Sequence, residues 1–240
     1  MKVVVDGRFQ HDKAEIARLP GRMDAGEGHI VYDGRNRVTL FSVGNRQMMV
    51  KRFKRVNFIQ QIVYTFFRHS KAQRAYLFAE ELSNRGVDTP QRVAYMERKR
   101  FGLFSVGYFV SLEAKGTETH LLLREVQDYP QDLAEAVARQ VVLLHSKGIL
   151  HGDLNLSNFL CTEDAEGYHF TMIDTNRSRF CDGWPSDEAC LKNLVRLTHR
   201  RDLYEDLIRR YAVLRGWDAD STAERALALL DHFENRHFHF

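Results

Sequence analysis

The sequence predicts an α+β fold in two lobes, a strand-rich front and a short helical back. Two observations carry this. Up to about residue 113 the chain alternates apolar and polar residues and turns often, whereas from Asp132 onward apolar residues recur at helical spacing. No internal repeat or low-complexity linker interrupts the chain. The expected division is an N-lobe over 1–114 and a C-lobe over 115–240, with the boundary near Ala114–Thr117.

In the front, HIVY (29–32), RVTLFSV (37–43) and QMMVKRF (47–53) read as strands, and Gly44-Asn45 supplies a hairpin turn. Residues 56–67 and 70–85 read as helices, the second capped by Ser70 and stopped by Gly86. RVAYME (92–97) and LFSVGYFVSLEA (103–114) read as two further strands separated by a basic RKR turn. In the back, 133–148 reads as a helix ending in Gly148. FLCTE and YHFTMID form a hairpin around DAEG, and 187–199, 201–215 and 221–235 read as helices.

Composition excludes several classes. The chain is 44% hydrophobic and 28% charged, which argues against disorder. A net charge of +3 gives no global reason to expect nucleic acid as a partner, and none is expected. Cys161, Cys181 and Cys190 are odd in number and lack CxxC spacing, so they read as reduced thiols. The opening MKVVVDGRFQHDK carries charge where a signal peptide needs an apolar run, and no window approaches the ~20 apolar residues of a membrane span. The expected location is cytoplasmic, with at most a peripheral position at the inner face of the cytoplasmic membrane.

The chemistry concentrates in ILHGDLNLSNFLC (149–161). His151-Gly152-Asp153-Leu154-x-x-x-Asn158 follows the kinase catalytic-loop pattern, with Gly in place of Arg. Phosphoryl transfer needs a carboxylate to take the attacking hydroxyl's proton and an amide oxygen to help hold a metal against phosphates. The other parts stand in the matching order. YDGRN (32–36), with Gly34, can turn over phosphates; Lys51 ends a strand; Asp174 follows the hairpin in MIDTNR.

On these residues the chain resembles the lipopolysaccharide kinase family, bacterial sugar kinases of the Kdo and heptose kinase type with a protein-kinase-like fold. The resemblance runs from about Ile30 to Tyr211, and its most specific parts are VKRFKR (50–55), SKAQR with RGVDTPQRVAY, and HGDLNLSNFL (151–160). It implies an ATP- and Mg²⁺-dependent kinase in which Lys51 binds the α/β-phosphates, Asp153 acts as base, and Asn158 and Asp174 hold metal. It also implies a saccharide or glycolipid acceptor, a sugar hydroxyl near lipid A.

The chain departs from the protein-kinase pattern at several points. Asp174 is followed by Thr175-Asn176 instead of Phe-Gly, and no A-P-E segment follows. The acid expected directly after the Arg of the SKAxR segment is Ala75, which leaves Glu80 and Glu81 as candidate partners of Lys51. Adjacent helical residues lie about 100° apart, so only one can face the lysine, and Glu81 is preferred. The alternatives are an atypical protein or tRNA-associated kinase and a nucleotide-binding pseudokinase.

Other residues admit two readings. His151 braces the loop or moves a proton, and Asn155 positions substrate or stabilises the loop. Arg177 and Arg179 grip an anionic substrate or form surface ion pairs. His232, His237 and His239 invite a metal reading, but no Cys or acid completes a set. Segment 51–74 carries seven Lys/Arg, no acid and many aromatics. It is a lobe-packing helix, a surface for anionic lipid, or both.

Overall fold

The computed structural model describes residues 1–237 and divides into two compact units. The first comprises Met1–Asn84 and Thr89–Ala114; the second comprises Arg85–Asp88 and the chain from Lys115 onward.

The first unit is built on a six-stranded antiparallel sheet in the order β1-β5-β6-β4-β3-β2. Its strands are β1 (Lys2–Val5), β2 (His29–Asp33), β3 (Arg37–Val43), β4 (Arg46–Arg52), β5 (Arg92–Arg100) and β6 (Leu103–Leu112). Four helices join it: α1 (Lys13–Ile16), α2 (Leu19–Asp24), α3 (Phe58–Phe66) and α4 (Lys71–Asn84). The sheet is covered by apolar side chains on both faces, as strand alternation allows. Met48, Val50, Val106 and Tyr108 pack with Phe9, Ile16, Leu19 and Met23 from the N-terminal segment. On the other face Phe53, Tyr95 and Phe109 meet Ala72, Ala75 and Tyr76 of α4. Ser70 caps α4, its Oγ accepting from Gln73 N at 3.1 Å, and Gly86 follows the helix at φ +72°.

The RKR segment is not the turn between β5 and β6. Lys99 and Arg100 pair with Phe104 and Leu103, and the chain reverses at Phe101-Gly102. Both turn residues have positive φ, 52° and 80°, the conformation a two-residue hairpin turn requires. The N-terminal residues, to which the sequence assigned no element, supply an edge strand and short helical turns.

The second unit holds α5 (Thr119–Leu123), α6 (Gln131–Ser146), α7 (Asp187–Leu194), α8 (Arg201–Arg215) and α9 (Ala219–His237). Its strands are β7 (Thr117–Glu118), β8 (Ile149–Leu150), β9 (Phe159–Asp164), β10 (Gly167–Met172) and β11 (Arg179–Phe180). They form a β10-β9-β7 sheet and a β11-β8 pair. The helix expected over 187–199 ends at Leu194. Arg85 fixes the approach to the catalytic-loop segment by donating to Lys147 O and Cys181 O, both at 2.7 Å. The three cysteines are free.

Candidate active site

The loop between β8 and β9 carries Asp153 and Asn158, and the end of β10 leads into Asp174. Hairpin register brings the latter two together. Phe159 pairs with Met172, and one step further Ile173 N donates to Asn158 O at 3.0 Å. Asn158 and Asp174 therefore sit side by side at the open end of the hairpin. Asn158 Nδ2 donates to Asp153 O at 2.8 Å, which closes the loop.

His151 organises the same structure from below. Its side chain is wholly buried, with Nε2 donating to Ile173 O at 3.0 Å and Nδ1 accepting from Asp153 N at 3.2 Å. Burial pushes the imidazole below its usual range, against the hydrogen bond to Ile173 O and the nearby charges of Asp174 and Asp153. A neutral ring with one donor and one acceptor fits both partners. His151 is thus a brace, and its own carbonyl accepts from Asn193 Nδ2 at 2.7 Å.

Gly152 has a steric reason. A Cβ there would lie 2.2 Å from Arg177 O and 2.5 Å from Arg177 Cβ. Only glycine lets the catalytic loop and the segment after Asp174 approach this closely. Asp174 itself is left-handed, at φ 55° and ψ 41°, and one of its carboxylate oxygens accepts from Asn176 Nδ2. Asn155 caps the turn Leu156–Asn158, its Oδ1 accepting from Ser157 N at 3.0 Å, which is the loop-stabilising role.

Three supporting residues were not anticipated from sequence. Arg196 Nη1 stands 3.5 Å from Asp153 Oδ1 and stacks on Phe233; Asn193 holds the loop through His151; Asn176 orients Asp174. The side-chain oxygens Asn176 Oδ1 and Ser178 Oγ are buried without a hydrogen-bond partner. Arg177 and Arg179 are exposed and make no salt bridge among the described residues.

The first unit carries the remaining candidates. Lys51 lies on β4 opposite Phe109, on the sheet face that α4 covers, with its ammonium 5.5 Å from the Phe53 ring. Glu80 is committed elsewhere. It holds Arg92 by two hydrogen bonds, one of 2.7 Å, while Arg92 also reaches Asp6 at 2.9 Å. Gly34 lies in the β2–β3 turn, tied to the end of β4 where Lys54 N donates to Asn36 Oδ1 at 3.1 Å. A pocket of about 250 Å³ beside this turn is lined by Arg52, Arg98 and Tyr108, which belong to the face opposite Lys51.

Asn158 and Asp174 offer oxygen donors of the kind Mg²⁺ takes, with phosphate oxygens completing such a shell. Among the described residues no three His, Cys, Asp or Glu side chains gather to hold a metal by themselves. Of the tail histidines, His239 lies outside the described residues. No helix among these residues is long and apolar enough to cross a membrane.

The chain has the fold of a solved structure of WaaP in complex with acyl carrier protein, at 20% identity and a TM-score of 0.63, covering 98% of both chains. A crystal structure of WbdD matches at 16% identity and a TM-score of 0.46, over 88% of this chain and 48% of that one. No curated protein sequence matches. The model of the lipopolysaccharide kinase (Kdo/WaaP) family matches residues 23–213. The chain belongs to that family, and it is a kinase.

Proposed function

We propose that this kinase transfers the γ-phosphoryl group of ATP to a sugar hydroxyl of a lipopolysaccharide core or related glycolipid. The observation that carries the reading is the backbone pairing of Asn158 with Ile173, which sets Asp153, Asn158 and Asp174 in one rigid arrangement. A rigid arrangement matters because phosphoryl transfer is catalysed mainly by positioning and by charge neutralisation.

Asp153 is the base. It takes the proton of the acceptor hydroxyl as the oxygen bonds to phosphorus and the bond to the ADP oxygen breaks. Arg196, 3.5 Å away, aims its carboxylate. Asn158 and Asp174 hold Mg²⁺, which supplies charge neutralisation at the phosphates. Lys51 pairs with the α/β-phosphates, and the Gly34 turn covers them. With Glu80 bound to Arg92, Glu81 is the helix acid assigned to Lys51. Arg177 and Arg179, exposed just after Asp174, suit an anionic acceptor such as a phosphorylated core sugar.

In this reading 1–114 is the nucleotide-clamping lobe and 115–240 the catalytic lobe. The acceptor is membrane-borne, so the enzyme works from the cytoplasm in peripheral contact with the inner face of the cytoplasmic membrane. The test is twofold. Purified enzyme with ATP, Mg²⁺ and lipopolysaccharide from a strain deleted for this gene should add one phosphate to the core by mass spectrometry. The deletion strain's lipid A–core should lack the same phosphate. An unchanged profile together with no transfer in vitro would overturn the assignment.

A further inference from the structure

Helix α3 is anomalous. Six of its nine residues are apolar or aromatic, yet none is buried. One side is accounted for by the sheet: Tyr64 packs edge-on against Phe104 at 5.5 Å, and Thr65 Oγ1 accepts from Phe104 N at 2.8 Å. The opposite side leaves Ile59 and Phe66 uncovered, 72% and 68% exposed, and Phe67 just beyond the helix is 80% exposed.

A second element adds to the same patch. Phe101, at the tip of the β5–β6 hairpin, is 91% exposed and flanked by Lys99 and Arg100. Phe58 and Gln61 of α3 and Arg100 and Phe101 of the tip line one shallow pocket of about 380 Å³, so helix and tip are neighbours. The surrounding charge is mostly basic: Asp24 and Asp33 lie near Lys54 and Arg55 but are paired with Arg52, Arg98 and Arg37. No Asp or Glu occurs from Gly34 to Ala79. Lys54, Arg55, Arg68, Lys99 and Arg100 are exposed and have no salt-bridge partner among the described residues.

We propose that the outer side of α3 and the Phe101 hairpin tip form one membrane-docking surface that takes anionic phospholipid. The inference rests on the peripheral placement of the enzyme given above and names the surface responsible. Apolar side chains carried on a helix and on a projecting turn, ringed by unpaired cations, match an interfacial element that sinks aromatics into the headgroup region. A second copy of the chain is the poorer occupant, because it would bring two cationic surfaces together.

The experiment is cosedimentation of the full chain with phosphatidylglycerol–phosphatidylcholine vesicles and with pure phosphatidylcholine vesicles, at low and at physiological salt. Wild type should bind the anionic vesicles, more weakly as salt rises, and ignore the neutral ones. Replacing Arg68, Lys99 and Arg100 with Gln should weaken binding roughly hundredfold, at about fivefold for each cation near the surface. Phe66→Ser with Phe101→Asn should also release the protein, and Asn tolerates the positive φ at 101. Thermal melting should confirm that both variants fold. Failure of wild type to bind anionic vesicles at low salt, or undiminished binding by both variants, would overturn the proposal. So would concentration-dependent dimerisation that the variants abolish.

A detergent-dispersed acceptor separates the two readings. Variants that lose vesicle binding should still phosphorylate it. A wild type that binds vesicles but does not phosphorylate this acceptor would sink the acceptor assignment and leave the docking surface standing.

Discussion

Adding one methyl group at Gly152 should disable this kinase more than it destabilises it. The new Cβ would stand 2.2 Å from Arg177 O, 2.5 Å from Arg177 Cβ and 2.6 Å from Arg177 C. None of these atoms is the end of a flexible side chain, so the backbone itself must move. Reaching ordinary contact near 3.4 Å requires a displacement of about 1 Å between the catalytic loop and the segment after Asp174. Overpacking of this kind costs about 1–3 kcal/mol of stability. The same displacement acts on Asp153 and Asp174, and a 1 Å misplacement of reacting groups can cost ~10²-fold in rate. The assay pairs thermal melting with initial rates measured well below the melting temperature. Gly152→Ala should lose on the order of 10²-fold in turnover while remaining folded at the assay temperature. The double variant with Arg177→Ala should melt no higher than Gly152→Ala, because the obstructing atoms are retained in alanine. A Gly152→Ala enzyme with wild-type rate and stability would refute the close approach and with it the reason for glycine.

Asp153→Asn should keep the fold, being nearly isosteric, and reduce phosphoryl transfer by about 10²–10⁴-fold in initial-rate assays; a loss of only a few-fold would remove Asp153 as the base. Asp174→Ala should weaken nucleotide binding measured by calorimetry with Mg²⁺ more than binding measured without it, and equal losses would contradict its role as a metal ligand. His145 offers a test in pH. It is buried, with Nδ1 2.7 Å from Tyr211 Oη and Nε2 3.1 Å from Asn193 Oδ1, and burial pushes its pKa down to about 4 while the Asn193 bond works the other way. Because the folded value lies below the unfolded ~6.5, the unfolded chain binds more protons between them, so this stability is present above ~6.5 and lost as pH falls toward about 4. From pH 7 to 5 it amounts to about 2 kcal/mol. Urea denaturation should show His145→Gln losing less stability than wild type over that interval; parallel losses would count against a neutral buried ring.

The strands were legible because their burial follows the pleat. Met48 and Val50 point to one face of β4 and Lys51 to the other, so alternation in the sequence maps directly onto the sheet. The N-terminal segment was not legible for the opposite reason. Its buried residues, Phe9, Ile16, Leu19 and Met23, come from short helical turns with no shared period, and β1 is defined by pairing with β5 about ninety residues away. The hairpin tip misled through chemistry: three consecutive cations suggested a turn, whereas the positive φ values fell on Phe101-Gly102.

The active-site candidates divide along the same line. Asp153, Asn158 and Asp174 could be put forward as candidates because each proposed role demands a residue type at a spacing that one short loop and one hairpin fix locally. Their supports could not. Asn193 and Arg196 reach the loop from forty residues downstream, and nothing in LKNLVRL distinguishes them from the polar side of any helix. Asn176 was visible only as a departure from Phe-Gly, yet its amide holds the carboxylate of Asp174. Gly152 joins the two classes. In sequence it is a missing arginine, and in the fold it is the one side-chain size that admits the carbonyl of Arg177. A protein-kinase arginine at this position would have to displace the segment that carries Asp174. The substitution that makes the motif look imperfect is therefore what allows this chain to close its catalytic loop against Asp174.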